Sequence, residues 1–225
     1  MEERVPQSPT PTGIAPPTTP STAPISPRST LFEAASLDGW LSSEGLKHKG
    51  LVVRRRFDGS FSKLDREIDE ARGRFGRDQC LLAQVANSPS DQQLAARLRS
   101  SVGTILAAAA LPAELSAQVE ADACAMGCAV GALCPASSTL EIKLEIFGDN
   151  TCSRWHFDSF VGRAIVSYTG TVGTEYTADA NLDFYEMRHC GKNECIIREP
   201  LKVETVGVGD FLFIKGSTIP TAEYK

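Results

Sequence analysis

The chain has 225 residues, a net charge of −5, 42% hydrophobic residues and 23% charged residues, the proportions of an ordinary globular protein. That length supports one sizeable core and is short for two. There is no basic excess, which argues against a nucleic-acid partner. The most apolar stretch, Thr104 to Cys134, is interrupted by Glu114, Glu120 and Asp122, so no membrane span is expected.

The opening Met1-Glu2-Glu3-Arg4 has no apolar signal region, and a cytoplasmic location is expected. Seven cysteines, an odd count in such a chain, are then expected as thiols. Residues 1–30 hold eight of the thirteen prolines, and eighteen of the thirty positions are Pro, Ser or Thr. This composition buries too little apolar surface to offset chain entropy, so the segment reads as a disordered tail that could meet protein partners. The remainder, 31–225, reads as a single domain, helical over about 31–135 and β-structured over about 138–225.

Between Ser60 and Arg77, Phe61, Leu64, Ile68, Ala71 and Phe75 recur at three- and four-residue steps among charged residues, which predicts an amphipathic helix. A second helix is expected from Ser88-Pro89 through Leu94 and Leu98, ending near the run Ala107–Ala110. A third is expected over Ala113 to Val130. At Thr139 the period changes to two: Leu140, Ile142, Leu144 and Ile146 alternate with charged residues, a half-buried strand. Everything after it reads as β, in short runs at Arg154–Asp158, Arg163–Tyr168, Ile196–Ile197, Lys202–Val206 and Phe211–Lys215. Helices first and short strands afterwards predict an α+β fold, with the helices packed on one outer face of a barrel or sandwich.

His156-Phe157-Asp158 places an imidazole and a carboxylate two residues apart on a predicted strand, where both point to one face. Together they supply two members of the two-His-one-carboxylate triad that suits Fe(II) and O2 chemistry, and they also suit Zn(II) or Mn(II). The plainer reading is a strand histidine hydrogen-bonded to a nearby carboxylate. The other histidines are His48 and His189, and His189, in a polar stretch, reads as a solvated loop residue rather than a third ligand. Cys124 and Cys128 read as small buried hydrophobes, and Cys190 and Cys195 as exposed thiols flanking a turn. Gly170 to Tyr176 reads as a turn rather than a phosphate cradle. Arg163, Tyr168 and Glu175 are candidates for lining a small-molecule pocket, with Arg163 the better anchor for a carboxylate.

Four stretches, Cys152-x-x-x-His156-x-Asp158, Arg163, Ser167-Tyr168-x-Gly170-x-x-Gly173-Thr174-Glu175 and Gly209-Asp210-Phe211-x-x-x-Lys215-Gly216, resemble the uncharacterised family known as domain of unknown function 1826. The resemblance covers roughly residues 35 to 220. Its layout is similar to that of the Fe(II)/2-oxoglutarate oxygenases, so it implies a double-stranded β-helix (cupin-like) fold and a metal position at His156 and Asp158. Fe(II) is then favoured over Zn(II), and 2-oxoglutarate is an expected co-substrate. The family's pattern continues into a further His and Arg, which are expected on C-terminal strands beyond Lys225. A non-catalytic metal-homeostasis module and an inactive scaffold are the alternatives.

Overall fold

The computed structural model describes residues 31–56, 61–75, 80–146, 153–170 and 173–216. The Pro-rich segment 1–30 and Cys152 lie outside the described residues. In chain order the elements are β1 (Leu31–Glu33), β2 (Gly50–Val53), α1 (Asp65–Ala71), β3 (Cys80–Ala86), α2 (Asp91–Ala109), α3 (Ala113–Leu133), β4 (Thr139–Glu145), β5 (Gly162–Ile165), β6 (Thr174–Tyr176), α4 (Phe184–Arg188), α5 (Asn193–Ile196), β7 (Glu204–Val206) and β8 (Phe211–Lys215).

The fold is α+β, as expected, but the strands do not wait for the helices to finish. The largest sheet has the order β1-β2-β8-β5, parallel between β1 and β2 and antiparallel elsewhere. β3 pairs with β4, and β6 with β7, as two antiparallel ribbons. Among the described residues these ladders do not close into a barrel. The segment expected to be all β also contains α4 and α5. The residues Asp183-x-x-Glu186 account for the first of these helices, because the Asp183 side chain accepts from the Tyr185 and Glu186 amides, as an N-cap does.

The strand expected at Arg154–Asp158 is absent: these residues join no ladder. The helix expected over 60–77 is a mixed run of 3-10 turns, Phe61–Leu64 and Arg72–Phe75, around the short α1.

Helices α2 and α3 behave as their patterns require. α2 buries Leu94, Leu98, Val102, Ile105, Leu106 and Ala109, and its run of alanines stops at Ala110, whose φ is 47°, a left-handed residue of the kind that ends helices. Its stripe meets Leu115 and Val119 of α3 in one cluster with Phe61. A second cluster joins Leu133 of α3 to Trp40 and to Leu51 and Phe213 of the main sheet. β2 and β8 are buried on both faces: Leu51, Val53, Phe211 and Phe213 face the Trp40 cluster, while Val52 and Leu212 face Leu31, Tyr176 and Val206. Strands buried on both faces have no period-two signature.

One polar junction holds helix and sheet together. Arg55, just past β2, donates to Asp122 of α3 through two parallel bonds of 2.8 and 2.9 Å. Its Nε donates to the Gly209 carbonyl, and its guanidinium lies 3.7 Å over the Phe211 ring. The Asp210 carboxylate accepts from the Arg55 amide, from Arg54 and from the Gly207 amide. Asp122 is only 5% exposed. Removing one member of a buried pair strands the other charge, at a cost of about 3–5 kcal/mol, while an apolar replacement of both is often neutral. Arg55→Met alone is therefore expected to lose about that much in urea unfolding, and Arg55→Met combined with Asp122→Leu and Tyr168→Phe, which leaves no buried hydroxyl without its acceptor, to recover most of it.

Candidate metal centre

An open cleft of about 1690 Å³ lies against the apolar faces of α2 and α3 and is walled by β4, β5, β6 and the end of β8. All five residues singled out in the sequence, His156, Asp158, Arg163, Tyr168 and Glu175, line it. They reach it by different routes. Arg163 comes from β5 and Glu175 from β6, whereas His156 and Asp158 come from the extended segment before β5.

Two contacts fix that segment. Gly216 follows β8, and its amide donates to the Val161 carbonyl. A Cβ at Gly216 would overlap the Phe160 carbonyl oxygen, so the segment can lie this close only over a glycine. On its other side Asn193 accepts from the Trp155 amide at 3.0 Å and donates to the Ser153 carbonyl at 2.6 Å, while Arg154 donates to the Met187 carbonyl at 2.7 Å.

His156 Nδ1 lies 2.9 Å from the Arg154 carbonyl oxygen. A carbonyl only accepts, so Nδ1 carries a proton, which leaves Nε2 as the ring nitrogen able to offer a lone pair to a metal. Nε2 lies 3.8 Å from Asp158 Oδ1, too far for a hydrogen bond. Ligand bonds of about 2.1 Å put neighbouring donors roughly 3 Å apart, so an ion between the two requires them to approach by less than an ångström. The pair thus fits a divalent cation: an imidazole oriented through its other nitrogen is the usual state of a histidine ligand. Among the described residues no third imidazole, thiolate or carboxylate joins these two closely enough to share one ion.

Arg163 donates to the same oxygen, Asp158 Oδ1, at 3.1 Å. The residue expected as a co-substrate anchor thus positions the carboxylate, although a guanidinium has five N–H groups with which to reach a second acid. Tyr168 is tied to the junction described above through a hydrogen bond to Asp122; burial and that carboxylate push its phenol far above the ordinary value. Glu175 is exposed on β6, opposite Thr205. His189 ends α4, stacks on Tyr185 and contacts the Tyr185 carbonyl through Nδ1 at 2.8 Å.

Sequence reasoning missed Asp122 and Arg55, which lie behind Tyr168. The available signal was an acid in register with Leu115 and Val119 on the buried face of α3. It also missed Glu186 as a neighbour of Cys190 and Cys195. The two sulphurs are 3.1 Å apart, and the three ligand atoms lie within 4.8 Å of one another. The hydrogen bond shared with Cys195, helped by the Lys192 amide, holds the Cys190 thiol below its ordinary pKa and raises that of Cys195. Cys124 and Cys128 are partly buried between α2 and β4, as small hydrophobes, and burial pushes their thiols up.

Fold and cleft together define an α+β protein with an imidazole–carboxylate pair on the wall of an open cleft. The model of the family described as protein of unknown function (DUF1826) matches residues 51–225, and the chain belongs to that family. No curated protein and no solved structure matches it. Among the described residues no helix is long and apolar enough to cross a membrane.

Because folding raises the Tyr168 pKa, the native state keeps a proton that the unfolded chain releases above pH of about 10. That contribution to stability is complete below this value and is lost as the pH rises. Tyr176, pushed up to about 12 by burial, acts in the same direction. Urea unfolding at stepped alkaline pH is expected to show stability falling above pH of about 10, with a shallower fall in Tyr168→Phe.

Proposed function

We propose that this chain binds a divalent metal ion at His156 and Asp158 and is a cupin-like, non-haem Fe(II) oxygenase using 2-oxoglutarate and a small-molecule substrate. The observation that carries the reading is the orientation of His156: Arg154 holds Nδ1, and Nε2 is turned toward Asp158 at the cleft wall. Antiparallel strands from all three sheets around the cleft support the cupin-like arrangement. Imidazole with carboxylate suits Fe(II) and Zn(II) alike; the preference for Fe(II) rests on the layout shared with the Fe(II)/2-oxoglutarate oxygenases, and a bound Fe(II) would supply O2 activation.

The protein's own part is to hold and orient. Arg163 fixes the Asp158 carboxylate and offers further N–H groups to an acid co-substrate. The apolar wall from Leu98, Val102 and Val119 excludes water from one side of the cleft, and Glu175 stands at its exposed side. A second reading, a metal-homeostasis module without turnover, is favoured by Arg163's hold on Asp158 and by the absence, among the described residues, of a third imidazole, thiolate or carboxylate beside the pair.

Anaerobic titration of the protein with Fe(II) and 2-oxoglutarate separates the readings. The oxygenase reading expects a visible charge-transfer band that is absent in His156→Ala, and oxygen consumption once air is admitted. Tight metal binding that depends on His156, with neither band nor oxygen uptake, leaves the homeostasis reading. Metal binding unaffected by His156→Ala contradicts both.

A further inference from the structure

At the far side of the His156 segment, α4 ends, the chain turns through Gly191 at a φ of 71°, and α5 begins. This turn brings together two thiols and a carboxylate. Glu186 and Cys190 are four residues apart, so they share one side of the α4 end, and Cys195 returns from α5. The three ligand atoms lie within 4.8 Å of one another, and both cysteines are exposed. None of the three lines the cleft.

We propose that Glu186, Cys190 and Cys195 form a separate site for a thiophilic divalent cation of the Zn(II) class, which locks the turn that holds the His156 segment. The donor set is the soft type that selects zinc over the harder cations. Metal–sulphur bonds of about 2.3 Å in a tetrahedral site set two sulphurs roughly 3.8 Å apart. The sulphurs now stand at 3.1 Å, so an ion asks exposed side chains to part by less than an ångström. Two thiolates and a carboxylate outweigh the ion's charge by one, and Lys192, already acting on Cys190, offsets the excess. One coordination position is left for water or an exogenous ligand.

The position of the turn gives the site its consequence. Lys192 and Asn193 lie between the two cysteines, and Asn193 bonds to both Ser153 and Trp155. Met187, next to Glu186, accepts from Arg154, whose own carbonyl orients His156. An ion at the turn therefore stiffens the segment that presents His156, without touching the cleft. This inference is independent of the reading given above, since it holds whether or not His156 and Asp158 bind a metal.

The test uses the whole chain, kept reduced with a phosphine, its thiols counted, and titrated with Co(II) as a spectroscopic substitute for Zn(II). A near-ultraviolet thiolate-to-Co(II) charge-transfer band is expected, abolished by added Zn(II) and retained in His156→Ala. It should disappear in Cys190→Ser/Cys195→Ser, whose exposed positions leave the unfolding transition unchanged, and half-saturation in Glu186→Gln should need several-fold more Co(II). Zn(II) should also slow hydrogen exchange at the Trp155 amide. A reduced protein with no thiolate band, or a band that survives the double cysteine variant, overturns the site; an unchanged Glu186→Gln titration removes the carboxylate from it. Unchanged exchange at Trp155 overturns its coupling to the His156 segment.

Discussion

The ion pair between Arg55 and Asp122 is the junction through which helix and sheet share one structure. Asp122 lies midway along α3, on a face otherwise given to the core, and Arg55 stands two residues past the end of the buried strand β2. A lone charge at either place would be costly. Together they are satisfied from every side: Gln118 and Tyr168 add hydrogen bonds to Asp122, while Gly209 and the Phe211 ring hold the guanidinium. Because Tyr168 follows β5 and Gly209 precedes β8, the same junction sets where those two strands begin or end. The cleft opens between them and the helices.

The proposed metal pair depends on that frame at one remove. β8 runs from the junction to Lys215, and Gly216, the next residue, seats the backbone of Phe160. Lys215, though mostly buried, donates to the Leu46 carbonyl, which ties the strand end to the turn before β2. The segment 153–160 is thereby held between β8 on one side and the Asn193 turn on the other, with Arg163 on its carboxylate. Neither His156 nor Asp158 belongs to a helix or strand; their geometry comes from these neighbours. A preformed site on irregular backbone needs such support, because nothing in its own hydrogen-bond ladder supplies it.

Elements whose environments differ on two faces were legible in the sequence. α2, α3 and β4 each have one buried side and one wet side, and their periods say so. β2 and β8 are both buried on two sides; β8 was still legible as the apolar run Phe211–Lys215 set off by turn residues, whereas Gly50 to Val53 carries no alternation and passes for an unremarkable apolar run before three arginines. The pairing of His156 with Asp158 was expected from a strand that does not exist; the two meet because Arg154 and Arg163 turn them toward each other. The stretches that carried the family resemblance acquire physical roles only in three dimensions. Gly209, at a φ of 85°, turns the chain so that its carbonyl meets Arg55; Asp210 gathers the arginines; Gly216 admits the Phe160 backbone. Such long-range partners leave no local period to read.

The proposed function requires an ion between His156 and Asp158. An anomalous difference map from crystals of the protein soaked in Mn(II), which shares the preference for imidazole and carboxylate, tests this directly. A peak is expected within bonding distance of both His156 Nε2 and Asp158 Oδ1, with Arg163 still beside the carboxylate. A map with no peak there, in which Asp158 remains held by Arg163 and any bound Mn(II) lies elsewhere, would contradict it.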